Sequence, residues 1–192
     1  MYLPVKRLLL PLFAAFLTGC AAVNRTSGED SAPPGIEVVQ LGTMRDISLC
    51  SGVWFGAEPT PEDLDLARRR GVRRVLVIDE AGPSQLESLC AELDLELERF
   101  RVSGPPEDRG EMLAVMRALG EEDAGGDTLL FSEDGSMAAA LFAAYRITYE
   151  GVPVDRALLE ARRSGMRAGE TEDLVRELSA APGPLPSASP PR

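Results

Sequence analysis

The apolar positions fall into two kinds of run. Val75–Ile78 and Thr128–Phe131 are short, aliphatic and almost unbroken by polar residues. Runs of that length and composition suit strands buried on both faces of a sheet. Leu97–Val102 alternates imperfectly and reads as a further strand, and residues 36–41 and 47–55 read as strands at the start of the sheet. Between them the spacing is helical. Leu86, Leu89, Cys90 and Leu93 share one helical face, and so do Met112, Val115, Met116 and Leu119. Thr60-Pro61-Glu62-Asp63 combines a hydroxyl cap, proline at the first helical position and acids in the first turn. It predicts a helix start, with Gly71 fitting the end. Residues 137–147 (MAAALFAAYRI) are apolar almost all round, which predicts a buried helix. Two more helices are expected near 153–164 and 170–179.

Strand-helix-strand-helix-strand-helix, with extra helices at the end, predicts an α/β fold: a central, mostly parallel sheet flanked by helices. Ligand sites in such sheets lie beyond the carboxyl ends of the strands. The turn between Phe131 and the buried helix is therefore the first place to look for function.

The N-terminus follows a different pattern. Lys6 and Arg7 precede an apolar core, Leu8 to Leu17, of about ten residues, too short to span a ~30 Å bilayer as a helix. Leu17-Thr18-Gly19-Cys20 then resembles the lipobox of bacterial lipoproteins. That resemblance implies a signal peptide over 1–19 and a lipid on Cys20. Several acyl chains on one cysteine anchor far more firmly than one. Ala21 and Ala22 follow in place of the aspartate that commonly retains such proteins at the inner membrane. The expected location is the cell envelope, and the outer membrane facing the periplasm if the source is Gram-negative. Residues 20–34 read as a flexible tether, 35–179 as one folded domain, and 180–192, rich in Pro and Ser, as a disordered tail.

Composition removes several kinds of chemistry. The chain of 192 residues has 20 Lys and Arg against 31 Asp and Glu, a net charge of −11. Such a chain is a poor nucleic-acid binder. It has no histidine, which excludes Ser-His-Asp and Cys-His catalysis and histidine metal sites. With three cysteines a four-cysteine zinc site is also excluded. No cofactor and no resident metal are expected.

The candidate site is Phe131-Ser132-Glu133-Asp134-Gly135-Ser136-Met137-Ala138-Ala139: a strand end, a glycine turn and a helix start. That arrangement is an anion cradle in many proteins. Here the chain resembles the dual-specificity and tyrosine-phosphatase superfamily, and most of all its small bacterial members. Three stretches carry the resemblance: SGVWFGAEPTPEDLDLARRRGVRRVLVIDE (51–80), LERFRVSGPP (97–106) and TLLFSEDGSMAAALFAAYRITYEGVPVDRALLEAR (128–162). The family's phosphate loop is His-Cys, five residues, then Arg, with the cysteine as nucleophile and the arginine as a phosphate fork. At those positions this chain has Phe131, Ser132 and Ala138, with Ala139 next and Gly135 alone retained. The resemblance makes Asp108 the candidate general acid. Ser132 is a poor nucleophile without a base.

Glu133 and Asp134 place carboxylates where a phosphate would sit. Like charges ~4 Å apart at an effective dielectric of 20 repel by about 4 kcal/mol. The same carboxylates could serve the helix N-terminus as an internal stand-in for the lost ligand; a plain solvated acidic turn is the alternative. These readings imply a membrane-anchored pseudophosphatase that binds or scaffolds an envelope protein. The alternative enzyme is a hydrolase of altered mechanism acting through Ser132, Asp108, Glu133 or Asp134, with a metal on the acidic turn as one variant. A generic α/β lipoprotein sharing only the fold is a third reading.

Other residues have structural readings. Cys90 reads as a buried thiol, with a Cys50–Cys90 disulfide as the alternative in an exported protein. Arg68, Arg69, Arg70, Arg73 and Arg74 read as a helix C-terminus complementing its dipole, against a docking patch for an acidic partner. Trp54 and Phe55 read as core, and Arg146 as a buried ion-pair member.

Overall fold

The computed structural model describes residues 33–78, 85–102, 109–121 and 125–180. The expected signal segment, Cys20, most of the expected tether, Asp108 and the Pro-rich tail lie outside them.

Six strands form one mixed sheet: β1 Glu37–Val38, β2 Ser48–Cys50, β3 Val53–Gly56, β4 Val72–Ile78, β5 Glu96–Phe100 and β6 Asp127–Ser132. Their order is β1-β2-β3-β6-β4-β5. The pairs β3–β6, β6–β4 and β4–β5 are parallel, and β1–β2 and β2–β3 antiparallel. Helices α1 Pro61–Arg69 and α2 Leu86–Glu92 lie on one face. On the other lie α3 Arg109–Leu119, α4 Ser136–Tyr149, α5 Val154–Arg163 and α6 Glu170–Ala180.

The uninterrupted apolar runs have a simple cause. In β4, Leu76 and Ile78 face the α3–α6 layer while Val75 and Val77 face α1 and α2. In β6, Leu130 faces one layer and Leu129 and Phe131 the other. Both central strands are covered twice, so polar alternation is lost. The expected buried helix is α4. Ala138, Ala139, Ala140, Leu141, Phe142, Ala143 and Ala144 are all at most 1% exposed, and Phe142 packs 4.5 Å from Phe55 between ring centroids.

Residues 47–55 do not form one strand. Ser51 (φ 50°) and Gly52 (φ 80°) both adopt left-handed conformations, and Cys50 pairs with Val53 across them. Two successive positive-φ residues make the tight hairpin turn whose twist matches antiparallel strands. The predicted strand at 36–41 is only the two-residue β1.

Helix α1 begins as its sequence predicts. Asp63 N–H donates to Thr60 Oγ1 (3.2 Å), and Thr60 N–H donates back to Asp63 Oδ2 (3.1 Å), a reciprocal capping box. Asp63 also accepts from Thr43 N–H (2.7 Å) and Thr43 Oγ1 (2.9 Å), tying the helix to the preceding turn. Burial alone would raise the Asp63 pKa, but these hydrogen bonds outweigh it and hold the group below its ordinary value. Asp63→Ala should therefore cost about 1–2 kcal/mol at neutral pH. Because the folded pKa is depressed, that contribution is present above the unfolded pKa and disappears as pH falls through the folded one. Urea melts of wild type and variant across the acid range should converge; a gap that persists at the lowest pH would contradict the assignment.

Cys50 and Cys90 are both free, and they lie on opposite faces of the sheet. The sheet separates them, so the alternative of a disulfide is corrected. Burial raises the pKa of each thiol.

The arginine cluster is not one patch. Arg69 pairs with Asp65, Arg68 Nε donates to Leu93 O (2.7 Å), and Arg70 Nη1 donates to Gln40 O (2.8 Å) and lies 5.9 Å over the Trp54 ring. Arg73 caps Arg68 O (3.3 Å). Arg74 is buried, only 3% exposed, and joins Glu98, Glu121 (2.8 Å) and Ala118 O (2.7 Å). A register shift between Val72 and Arg74 lets consecutive arginines point to different surroundings. These partners fit the structural reading of the cluster.

The candidate cradle at the β6–α4 turn

Strand β6 delivers Ser132 to the carboxyl edge of the sheet, and α4 begins four residues later. Gly135 N–H donates to Ser132 O (3.2 Å), closing the turn, and Gly135 takes φ 82°. A Cβ on Gly135 would lie 2.8 Å from Ala57 N and 2.9 Å from Gly56 C. The turn is seated directly on the backbone leaving β3, and Glu58 N–H reaches Glu133 O at 3.5 Å. Glycine is required twice over, by conformation and by space. Gly135→Ala should lower stability by at least about 2 kcal/mol. Thermal unfolding checks this; an unchanged midpoint would mean the turn is not seated as described.

The helix start has backbone donors that an anion cradle would offer to its ligand. Here Ser136 N–H donates to Asp134 Oδ1 (2.9 Å) and Ala138 N–H to Ser132 Oγ (3.2 Å). Asp134 Oδ2 is 2.5 Å from Arg167 Nη2, and Arg167 N–H donates to Ser136 Oγ (2.9 Å). The loop between α5 and α6 thus folds back onto the turn and neutralises its carboxylate. Asp134 does what an internal stand-in requires. Glu133 does not: it is exposed at the apex, and it is its main-chain carbonyl that accepts from Glu58 N–H.

Ser132 is buried, 5% exposed, with its oxygen turned to the helix. Among the described residues no carboxylate or cation hydrogen-bonds its hydroxyl. Ala138, at the position where the resemblance puts arginine, is fully buried among α4's core neighbours. Phe131, at the histidine position, is 1% exposed and faces α1 and α2. Met137 is half-buried. Asp108 falls outside the described residues. Among the described residues no group of three or more acidic or sulfur ligands could hold a metal ion.

Ser136 was part of the candidate turn, but Arg167, which donates to its hydroxyl, was invisible to sequence reasoning. Arg167 is 33 positions from Asp134, and only Gly165 and Gly169, both at positive φ, marked a loop there.

No protein-family model matches this chain, and no curated protein matches it. Solved structures do match. P. aeruginosa TpbA, as a cysteine-to-serine form in complex with phosphotyrosine, is 20% identical, with a TM-score of 0.57 over 78% of this chain and 98% of that one. A DUF442 phosphatase from Shewanella putrefaciens CN-32 gives 16% identity and a TM-score of 0.61, covering 74% and 97%. The core catalytic domain of a PP-IP phosphatase from S. cerevisiae, in complex with citrate, gives 17% and 0.59, covering 73% and 87%. At these identities the likeness concerns the fold, which is that of the tyrosine and dual-specificity phosphatases.

Proposed function

We propose that this chain is a membrane-anchored, phosphatase-like protein that has given up catalysis and acts by binding or scaffolding in the cell envelope. One observation carries the reading: two of the donors that begin α4, Ser136 N–H and Ala138 N–H, are taken up by the chain's own Asp134 and Ser132. The family-equivalent positions agree with it. Serine stands where the nucleophilic cysteine is expected, alanine where the phosphate fork is expected, and no histidine exists to activate a hydroxyl. The purified protein should show no turnover of aryl phosphates or phosphopeptides, with or without divalent metals, above that of Ser132→Ala. Turnover lost on Ser132→Ala or Asp134→Asn would support the altered hydrolase instead.

Anchoring rests on Leu17-Thr18-Gly19-Cys20. Among the described residues no helix is long and apolar enough to cross a membrane. Cell fractionation should find the wild type with membranes and Cys20→Ser in the soluble fraction. Equal membrane association of both would assign the anchor elsewhere.

A further inference from the structure

On the α1–α2 side of the sheet, at the carboxyl ends of its strands, lies a cavity of about 420 Å³. It adjoins the cradle through Phe131 and Glu58. Leu64, Leu86 and Phe131 line it, at 1%, 5% and 1% exposure, and Leu89 stands half-buried beside them. Glu58 and Glu92 also line it, and both are exposed. Neither carboxylate has an ion-pair partner among the described residues, and no described lysine or arginine lines the cavity. The volume falls within the range of small-molecule sites, which are mostly apolar with a few polar groups that orient the ligand.

We propose that this cavity binds a small organic cation with an apolar body, the cation at Glu58 and Glu92 and the body on Leu64, Leu86, Leu89 and Phe131. The charge of the site selects the ligand class. Two uncompensated carboxylates beside an apolar wall attract a cation and repel an anion, and the acidic surface adds to the same field. At the neighbouring start of α1, Thr60 N–H and Asp63 N–H are already taken up in its capping box. Phe131, standing where the phosphatase resemblance places histidine, gives the wall an apolar ring in place of a polar one. This site does not depend on whether the cradle is catalytic.

The test uses the full chain carrying Cys20→Ser, titrated with three probes of similar shape: 4-phenylbutylammonium, 4-phenylbutanol and 4-phenylbutanoate. Binding is followed through the methyl resonances of Leu64, Leu86 and Leu89. The ammonium should bind at least tenfold more tightly than the alcohol, and the carboxylate more weakly than both. In Glu58→Gln/Glu92→Gln the ammonium should fall to the level of the alcohol. In Leu89→Ser both should weaken. The proposal is overturned by equal affinities for the three probes, by ammonium binding that is unchanged in the double variant, or by no saturation up to about 10 mM.

Discussion

Arg146→Met should destabilise the domain by about 3–5 kcal/mol, the range for removing one partner of a buried ion pair. Arg146 is fully buried in α4. Its guanidinium meets Glu150 Oε2 at 2.9 Å, and also Glu160 and the Pro34 carbonyl. Burial alone would lower its pKa, but the Glu150 hydrogen bond and the nearby charges of Glu160 and Glu150 outweigh that and raise it. The arginine therefore stays charged. Glu160 is shared with Arg156 (2.9 Å), whose Nη2 also donates to Pro33 O at 3.0 Å. The network fastens the residues that lead into β1 onto α4 and α5. Methionine fills similar space but leaves Glu150 and Glu160, 21% and 14% exposed, without their shared cation. Denaturant unfolding measures the loss. Adding Glu150→Gln should recover part of it, because Arg146 is the cation that Glu150 pairs with and one stranded charge is removed, whereas Glu160 keeps Arg156. If the single variant is as stable as wild type, the cluster is not a stabilising unit.

The second expectation concerns the cradle. Ser132→Cys with Ala138→Arg restores the thiol and the phosphate fork, but should not restore phosphate binding. Asp134 would still hold Ser136 N–H, and the carboxylates of the turn would raise the pKa of the new thiol by like-charge repulsion. Adding Glu133→Gln and Asp134→Asn should improve phosphate affinity at least tenfold over the double variant. Most of that gain should come from Asp134→Asn, since Asp134 bonds the helix start and Glu133 is exposed. Phosphate titrations of wild type, double and quadruple variants decide it. A double variant that binds as well as the quadruple one would remove the acidic turn as the obstacle.

The readable parts of the sequence were those where one local cause sufficed. The doubly covered strands β4 and β6 announced themselves as apolar runs, and Thr60-Pro61-Glu62-Asp63 announced the start of α1. The hairpin at Ser51-Gly52 was missed because Cys50 and Val53 continue the apolar pattern across it. Arg74 was read with a surface cluster because the register shift that buries it leaves no trace in composition. The partners of Arg146 could not be named: Glu160 lies on the next helix, and nothing in spacing brings it there. At the cradle, the turn and its acids were legible. The division of labour between Asp134 and Glu133 was not, because it depends on Arg167 from the α5–α6 loop and on Glu58 from the segment after β3.

The central claim is that the chain itself occupies the start of α4. It is tested most directly by titrating the unmodified domain sequence, in the full chain carrying Cys20→Ser, with inorganic phosphate while following the backbone amide resonances of Ser136, Met137, Ala138 and Ala139. The account predicts no saturable shift of these amides into the millimolar range, about the limit of weak specific binding. A saturable shift centred on Ser136 and Ala138, lost in Ser132→Ala, would show an open anion cradle and contradict it.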